Sequence, residues 1–295
     1  MIGMDVIGRR SVLNRPVHYL SLQKTLALEI ANPFVKPHLK YYPEISAGQP
    51  VSRLSQSRKW LKELGPNTRA PMVRDGGRDF YLHELVQLKS SLIVVPDFFC
   101  ELDGEMYALC QTPDIQICNE TGQLMFMITK NPPSDSPKLA RIAVAEFGVD
   151  YPSMTVDGGG LMSDLCGNRM YGEPMQLQTS LVMFLLPFIL TMPADVELGT
   201  EREVIGPIFN RWRLKAAGRA IRHMPICLYA DDTSGNSSKK WNKHISYYFT
   251  LAGLPPKLTN QHFNCHFLST SNSAGAMELA EGIVDELMCA QSSPR

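Results

Sequence analysis

Apolar residues recur at helical spacing in two segments near the N-terminus. In the first, Tyr19 to Ala31, the strongest apolar positions fall four residues apart, and Asn32-Pro33 ends the pattern. In the second, Ser55 to Leu64, the pattern is shorter and Gly65-Pro66 follows it. The spacing predicts an amphipathic helix in each segment, within an N-terminal helical region that spans residues 1–66.

Further along the chain the apolar runs become shorter. Between Pro71 and Cys110 they are rich in β-forming residues and are separated by Asp-Gly turn dipeptides, which predicts a small antiparallel β region over residues 67–110. Residues 111–204 show no sustained period and remain poorly defined. They include the longest apolar run, Leu181 to Met192, which is shorter than the roughly 20 residues of a membrane span. We interpret that run as a core segment.

The C-terminal part, residues 205–295, changes pattern again. Three β-rich runs are predicted to be strands: Ile226 to Asp231, Ile245 to Leu251 and Phe263 to Ser269. An amphipathic helix is predicted from Ala274 to Cys289, with Ser273 as its N-cap. Consecutive strands pair antiparallel, and a helix can cover one face of their sheet. The sequence therefore predicts an α+β fold that ends in the strand order with which the ribonuclease-H-like fold begins.

Composition narrows the function classes only slightly. The 29 basic and 29 acidic residues give a formal net charge of zero, so only local clusters point to a partner. Seven cysteines without CxxC spacing argue against a disulfide framework and against a structural zinc site. Because Met1 to Pro16 lacks the pattern of a secretory leader, we expect an intracellular protein.

Asp231 and Asp232 are the candidate catalytic and metal-binding residues. Alternation along the predicted strand places Asp232 on the face of Leu228 and Asp231 on the face of Tyr229. A carboxylate at the end of a buried strand is a suitable ligand for Mg²⁺, and a pair of such ions supports phosphodiester cleavage. To hold two such ions, the protein needs carboxylates in addition to these two aspartates. The alternative is that both aspartates only begin a polar turn.

Basic residues flank the two aspartates on both sides. The segment from Phe209 to His244 contains eight basic and two acidic residues, with two tryptophans among them. Basic side chains suit the phosphates of a DNA backbone, and the tryptophans suit base stacking. The candidate DNA-binding residues are Arg211, Arg213, Lys215, Arg219, Arg222, Lys239, Lys240 and Lys243. The alternative is a solvated basic helix from Asn210 to Arg222 with its tryptophan in the core.

Residues 222–272, RHMPICLYADDTSGNSSKKWNKHISYYFTLAGLPPKLTNQHFNCHFLSTSN, resemble a segment of fungal transposon-encoded proteins of the CACTA type, the Plavaka-like DNA transposases. Residues 31–84 are similar to the region that precedes this segment in those proteins. The resemblance implies that Asp231 or Asp232 is the first acid of a transposase DDE set. It also implies DNA cleavage and strand transfer at transposon ends, with Mg²⁺ or Mn²⁺, in the nucleus.

The sequence departs from that family in two respects. Residues 111–204 do not match what the resemblance leads us to expect between the two similar regions. The sequence ends at Arg295, before the later strand and helix that carry the second and third acids in that fold. We therefore expect a truncated transposase fragment that is inactive alone.

Two other functions remain open from the sequence. Tyr229-Ala230-Asp231-Asp232 also spells the YxDD of a reverse-transcriptase palm, although the eleven residues that follow are almost wholly polar. A fragment that binds DNA or another protein through the basic segment, without catalysis, belongs to a different class. Salt-dependent DNA binding without metal-dependent nicking would distinguish it from an enzyme.

Overall fold

The computed structural model describes residues 5–46, 48, 52–57, 59–117, 124–155, 159, 161, 202–205, 210–232 and 244–292. Within them the strands are β1 (Val6–Arg10), β2 (Pro16–Leu20), β3 (Met72–Asp75), β4 (Arg78–Tyr81), β5 (Val86–Leu88), β6 (Ile93–Leu102), β7 (Glu105–Gln111), β8 (Asp114–Ile117), β9 (Leu124–Thr129), β10 (Ala140–Ala143), β11 (Phe147–Asp150), β12 (Arg202–Ile205), β13 (Ile226–Asp232), β14 (Ile245–Leu251) and β15 (His266–Ser271). The α-helices are α1 (Leu22–Ala31), α2 (Arg211–Ala216), α3 (Pro256–Thr259) and α4 (Ala276–Ser292).

The chain divides into two units. The terminal unit comprises Met1–Tyr41, Gly48–Ser57 and Met224–Arg295, and the central unit comprises Tyr42–Ala47 and Arg58–His223. The predicted N-terminal region 1–66 and the predicted C-terminal region 205–295 therefore both contribute to the terminal unit. The mixture of helices with antiparallel sheets confirms the α+β class.

The terminal unit is built on a five-stranded antiparallel sheet with the order β1-β2-β15-β14-β13. The meander β13-β14-β15 pairs as predicted, and β14 has the predicted bounds. The hairpin β1-β2 extends this sheet through β15, which the sequence pattern did not predict. Tyr19 lies in β2 and is buried, because Val17 and Tyr19 alternate toward the core, so helix α1 begins only at Leu22.

One face of this sheet is covered by α1 and α4. Leu22 of α1 and Ile283 of α4 share a buried core with Phe249, Leu251 and Leu268 of the sheet. The sheet also approaches the chain after α1 closely. The Lys40 N–H donates to the Gly253 carbonyl at 2.9 Å, and a Cβ at Gly253 would lie 2.3 Å from the Lys40 carbonyl oxygen. Only glycine fits at position 253.

Carboxylates of α4 join the two ends of the chain inside this unit. Glu286 accepts hydrogen bonds from the Ser21 hydroxyl and from the Leu22 N–H, so it caps the N-terminus of α1. Glu278 accepts from the Ser11 hydroxyl and from the Gly275 N–H. Because α4 begins at Ala276, Ser273 is not its N-cap, and the Glu278 carboxylate satisfies the first free N–H instead.

The central unit is mainly β-structure. Its largest sheet has the order β10-β7-β6-β5-β11, beside a three-stranded sheet β12-β9-β8 and the hairpin β3-β4. The named strands of this unit pair antiparallel, as predicted for residues 67–110, and an isolated parallel bridge joins Glu44 to Glu101. The predicted helix at Ser55 to Leu64 is instead two short helical turns, Leu54–Gln56 and Lys59–Glu63.

No helix in the described parts of the chain has the length and apolar character needed to cross a bilayer.

Candidate functional site

Strand β13 carries the two candidate acids at the edge of the terminal sheet. It is the last strand in the sheet order, and every side chain after Ile226 is exposed. The prediction of a buried strand is therefore wrong. Helix α4 packs over β2, β14 and β15, so the sheet face of β13 beyond Ile226 lies outside the shared core. The carboxylates stand at a solvent-accessible edge.

Asp231 and Asp232 belong to the strand itself. Asp231 lies opposite Ser246, and Asp232 lies opposite Ile245, at the last rungs of the β13-β14 ladder. The Asp232 N–H donates to Asp231 Oδ1 at 2.8 Å, and the His244 N–H donates to Asp232 Oδ1 at 3.3 Å. Because the ladder runs through both residues, neither lies in the tight hairpin turn that a reverse-transcriptase palm requires. The structure therefore does not favour the YxDD interpretation.

Alternation places the two acids on opposite faces. Asp232 shares the face of Ala230 and Leu228, on the side of the helices, and Asp231 shares the opposite face with Tyr229. Carboxylate oxygens are the donors that Mg²⁺ and Mn²⁺ prefer, and Mg²⁺ commonly takes one or two of them and keeps several waters. Because the ladder runs through both residues, only one of the two carboxylates can face a given ion. Among the described residues, no group of three His, Cys, Asp or Glu side chains comes together as a complete metal cage.

Arg213, a candidate DNA-binding residue, is committed to the interior of the central unit. Its guanidinium makes a two-pronged ion pair with Glu84, with Nη2 to Oε2 at 2.8 Å and Nε to Oε1 at 3.0 Å. It also donates to the Asp79 carbonyl, and it lies 4.4 Å over the Tyr81 ring. Burial raises the pKa of Glu84, and the neighbouring Arg213 charge opposes that rise. Arg213 therefore holds α2 to the rest of the central unit.

Helix α2 is shorter than the predicted helix Asn210 to Arg222. Asn210 caps its N-terminus by accepting from the Trp212 N–H, and its amide donates to the Leu82 carbonyl. The helix ends at Ala216 because Ala217 and Gly218 both have positive φ, which no α-helix continues. The basic residues after it therefore do not form one helical face.

The other predicted basic residues have varied surroundings. Arg211 donates to the Asn67 amide oxygen, and both Arg211 and Lys215 lie within 5.4 Å of the Trp212 ring. The guanidinium of Arg219 donates to the Ala216 carbonyl, and Arg222 is exposed. Lys239, Lys240 and Lys243 lie outside the described residues. Arg211, Lys215, Arg219 and Arg222 thus belong to the central unit, whereas the acids belong to the terminal unit.

The structure also reveals an aromatic row that the sequence interpretation missed. Tyr229, Tyr248 and Phe267 lie on one rung across β13, β14 and β15. The strand alternation already placed Tyr229 beside Asp231. The register between strands, which brings the other two rings alongside, was the missing information.

A family model described as "Domain of unknown function (DUF8591)" matches residues 72–222. These residues lie within the central unit and make up just over half of the chain, and the match ends one residue before that unit ends. No curated protein and no solved structure matches the chain. The candidate acids therefore lie outside the matched domain.

Proposed function

Since the chain belongs to the DUF8591 family, whose description assigns no activity, we propose a function from the terminal unit: a transposase-derived protein that binds a divalent ion at Asp231 or Asp232 and binds DNA. Acting on transposon DNA would place the protein in the nucleus. We further propose that the 295-residue chain alone does not cleave DNA, because two carboxylates do not hold two catalytic ions.

One observation carries this proposal. Both carboxylates stand at the last rungs of an edge strand, exposed, with their backbone fixed by the ladder to β14. A rigid strand end presents oxygen ligands with less loss of entropy than a loop does. An ion held there supplies Lewis-acid stabilisation of phosphate oxygens. The chain itself contributes a carboxylate on either face of the strand end and a backbone that holds it in place.

We also propose that the terminal sheet is a partial ribonuclease-H-like sheet. The support is the order of its C-terminal elements, in which the antiparallel strands β13, β14 and β15 are followed by α4. That is the order implied by the resemblance of residues 222–272 to CACTA-type transposases. The hairpin β1-β2 beside β15 is an addition to that pattern.

The test of metal binding is a titration with Mn²⁺ followed by electron paramagnetic resonance. We expect one weak site in the unmodified protein and its loss in Asp231→Asn combined with Asp232→Asn. Asp103→Asn is the matched control, because Asp103 is an exposed turn aspartate of the central unit with φ of 52°, a conformation that asparagine tolerates. Equal Mn²⁺ binding by the unmodified protein and the double variant would refute the proposal.

Cleavage is measured on supercoiled plasmid with the purified chain. We expect no nicking at any Mg²⁺ or Mn²⁺ concentration, together with DNA retention that weakens as salt rises. Metal-dependent nicking that disappears in the double variant would show that the chain is a complete nuclease. The statement that it is inactive alone would then be wrong.

A further inference from the structure

One face of the terminal sheet is covered by helices. We call the opposite face the open face; Tyr229 and Phe267 are exposed on it, and the smaller Ser246 and Thr250 are buried. The open face is identified by alternation from the buried residues, since Val17 and Tyr19 point to the helices and His18 between them points away. His18 lies opposite Gly8, and a Cβ at Gly8 would lie 3.1 Å from its imidazole. The imidazole of His18 therefore lies over β1 on the open face.

Three aromatic side chains cross this open face in a row. The Tyr229 and Tyr248 rings lie 5.5 Å apart with 17° between their planes, and Phe267 meets Tyr248 edge-on at 5.6 Å. Tyr229 is 41 % exposed and Phe267 is 39 % exposed, although both residues belong to paired strands of the sheet. Aromatic rings that pack against one another and still face solvent offer a flat surface for stacking.

The charged residues of the open face are displaced from this row along the strand direction. His18 lies on the rung of Asp231, and Arg10 lies two residues beyond that rung, roughly 15 Å along the strands from the row. Arg10 is exposed and donates to the Asn14 carbonyl, and in the described part of the chain no carboxylate forms an ion pair with it. At the opposite edge, Asp231 follows Tyr229 by two residues on the same face, roughly 7 Å away at the usual strand rise.

From this arrangement we propose that the open face binds single-stranded DNA, with bases stacked on Tyr229, Tyr248 and Phe267 and the backbone directed toward Arg10 and His18. The choice of DNA as the nucleic acid rests on the proposed function. Partial burial and the 2.6 Å contact between its hydroxyl and the Cys265 thiol raise the pKa of Tyr229 to about 12. Its ring therefore stays neutral beside phosphates at physiological pH.

A single strand fits this surface better than a duplex does. The bases of a duplex are stacked on each other and expose only their edges, whereas unpaired bases offer a whole face to an aromatic side chain. Arg10 supplies a positive charge for the phosphates of a strand that leaves the row diagonally across β2 and β1. An ion at Asp231 would neutralise the acid at the β13 edge.

The experiment measures fluorescence anisotropy of a labelled oligothymidylate with the full chain, in EDTA so that Asp231 and Asp232 carry no metal. We expect Tyr229→Leu and Phe267→Leu each to weaken binding about tenfold. Phe34→Leu is the matched control, because Phe34 is 83 % exposed in the same unit and lies outside the sheet. Arg10→Gln should lower the slope of log affinity against log salt by about 0.7.

Thermal melting of each variant shows whether the sheet is intact, and Arg10→Gln tests the same face without touching its aromatic packing. Unchanged affinity in Tyr229→Leu and Phe267→Leu, or tighter binding of duplex than of single strand, would overturn the inference. Loss of Mn²⁺ binding in the aspartate double variant with normal oligonucleotide binding would leave both proposals standing. Normal oligonucleotide binding without any Mn²⁺ site would overturn only the metal proposal.

Discussion

Replacing Arg213 by methionine tests whether this residue stabilises the central unit or contacts DNA. Methionine keeps an unbranched apolar side chain at this position and removes the charge that pairs with Glu84, whose side chain is 1 % exposed. We expect a large loss of stability in the central unit and no more than a small change in DNA affinity. The reason is that a buried carboxylate would remain without its cation.

The size of the loss follows from the ionisation of Glu84. Without Arg213, the neutral acid is the form of the buried carboxyl with the lowest free energy. Keeping a group with an ordinary pKa of 4.5 protonated at pH 7 costs about 3.4 kcal/mol. The Asn210 N–H still donates to the carboxyl and favours its ionised form, so the cost of protonation is an upper limit on the loss. We therefore expect a loss of about 3 kcal/mol, which is the magnitude typical of a broken buried ion pair.

The pH dependence provides a second signature. In Arg213→Met, burial holds the pKa of Glu84 above its unfolded value of 4.5 and no neighbouring arginine opposes the rise. The folded variant then keeps a proton that the unfolded chain releases. The stability that this retained proton contributes is fully present below pH 4.5 and is lost as pH rises through the raised pKa. The deficit against the unmodified protein should therefore shrink toward low pH.

Urea unfolding followed by tryptophan fluorescence measures this loss. A Trp241→Phe background leaves Trp60 and Trp212 as the two remaining tryptophans, and both lie in the central unit. Arg211→Gln is the control, because Arg211 is exposed on the same helix, and it should change stability by less than about 0.5 kcal/mol. A loss below about 1 kcal/mol in Arg213→Met, or one that does not depend on pH, would refute the reasoning.

Two further predictions concern the contacts between the ends of the chain. Glu286→Gln should destabilise the terminal unit by about 1 to 2 kcal/mol, because it weakens the charge-assisted hydrogen bonds from Ser21 and Leu22 at the start of α1. Thermal melting of this variant, of Ser21→Ala and of the double variant should show that the two changes are coupled. The hydrogen bond from Ser11 lowers the pKa of Glu278. The stability that the Glu278 carboxylate contributes is therefore present above pH 4.5 and is lost as pH falls through the lowered pKa. Glu278→Gln should flatten the acid limb of a curve of stability against pH, and an unaltered limb would contradict this.

Local patterns of the chain predicted individual elements where the period was clear. Strand β14 was predicted with its bounds, because Ile245 to Leu251 consists mostly of β-branched and aromatic residues and lies between a polar segment and a segment with Gly and Pro. Helix α1 was predicted with three residues too many. Tyr19 fits both a helical and an alternating pattern, and its burial beside Val17 in β2 decides between them.

The arrangement of the elements could not be predicted in the same way. Pairing of β2 with β15 joins residues about 250 positions apart, and no local period encodes such a partner. The exposure of Asp231 and Asp232 depends on β13 being the edge strand, which follows only from the complete sheet order. Likewise, the sequence shows that Arg213 is basic, but its buried partner Glu84 lies 129 residues earlier.

The discontinuous terminal unit has a consequence for how this protein could be rebuilt or could have been assembled. The chain leaves that unit after Tyr41, returns to it for Gly48–Ser57, and returns finally at Met224. Near the first departure the Lys40 N–H donates to the Gly253 carbonyl, and near the final return the Pro225 carbonyl accepts from the Ala252 N–H. The departure and the return are thus anchored on neighbouring residues, as in a host fold that carries a guest. A short tether between Tyr41 and Met224 would cost little loop-closure entropy, but it would also remove Gly48–Ser57 from the terminal unit.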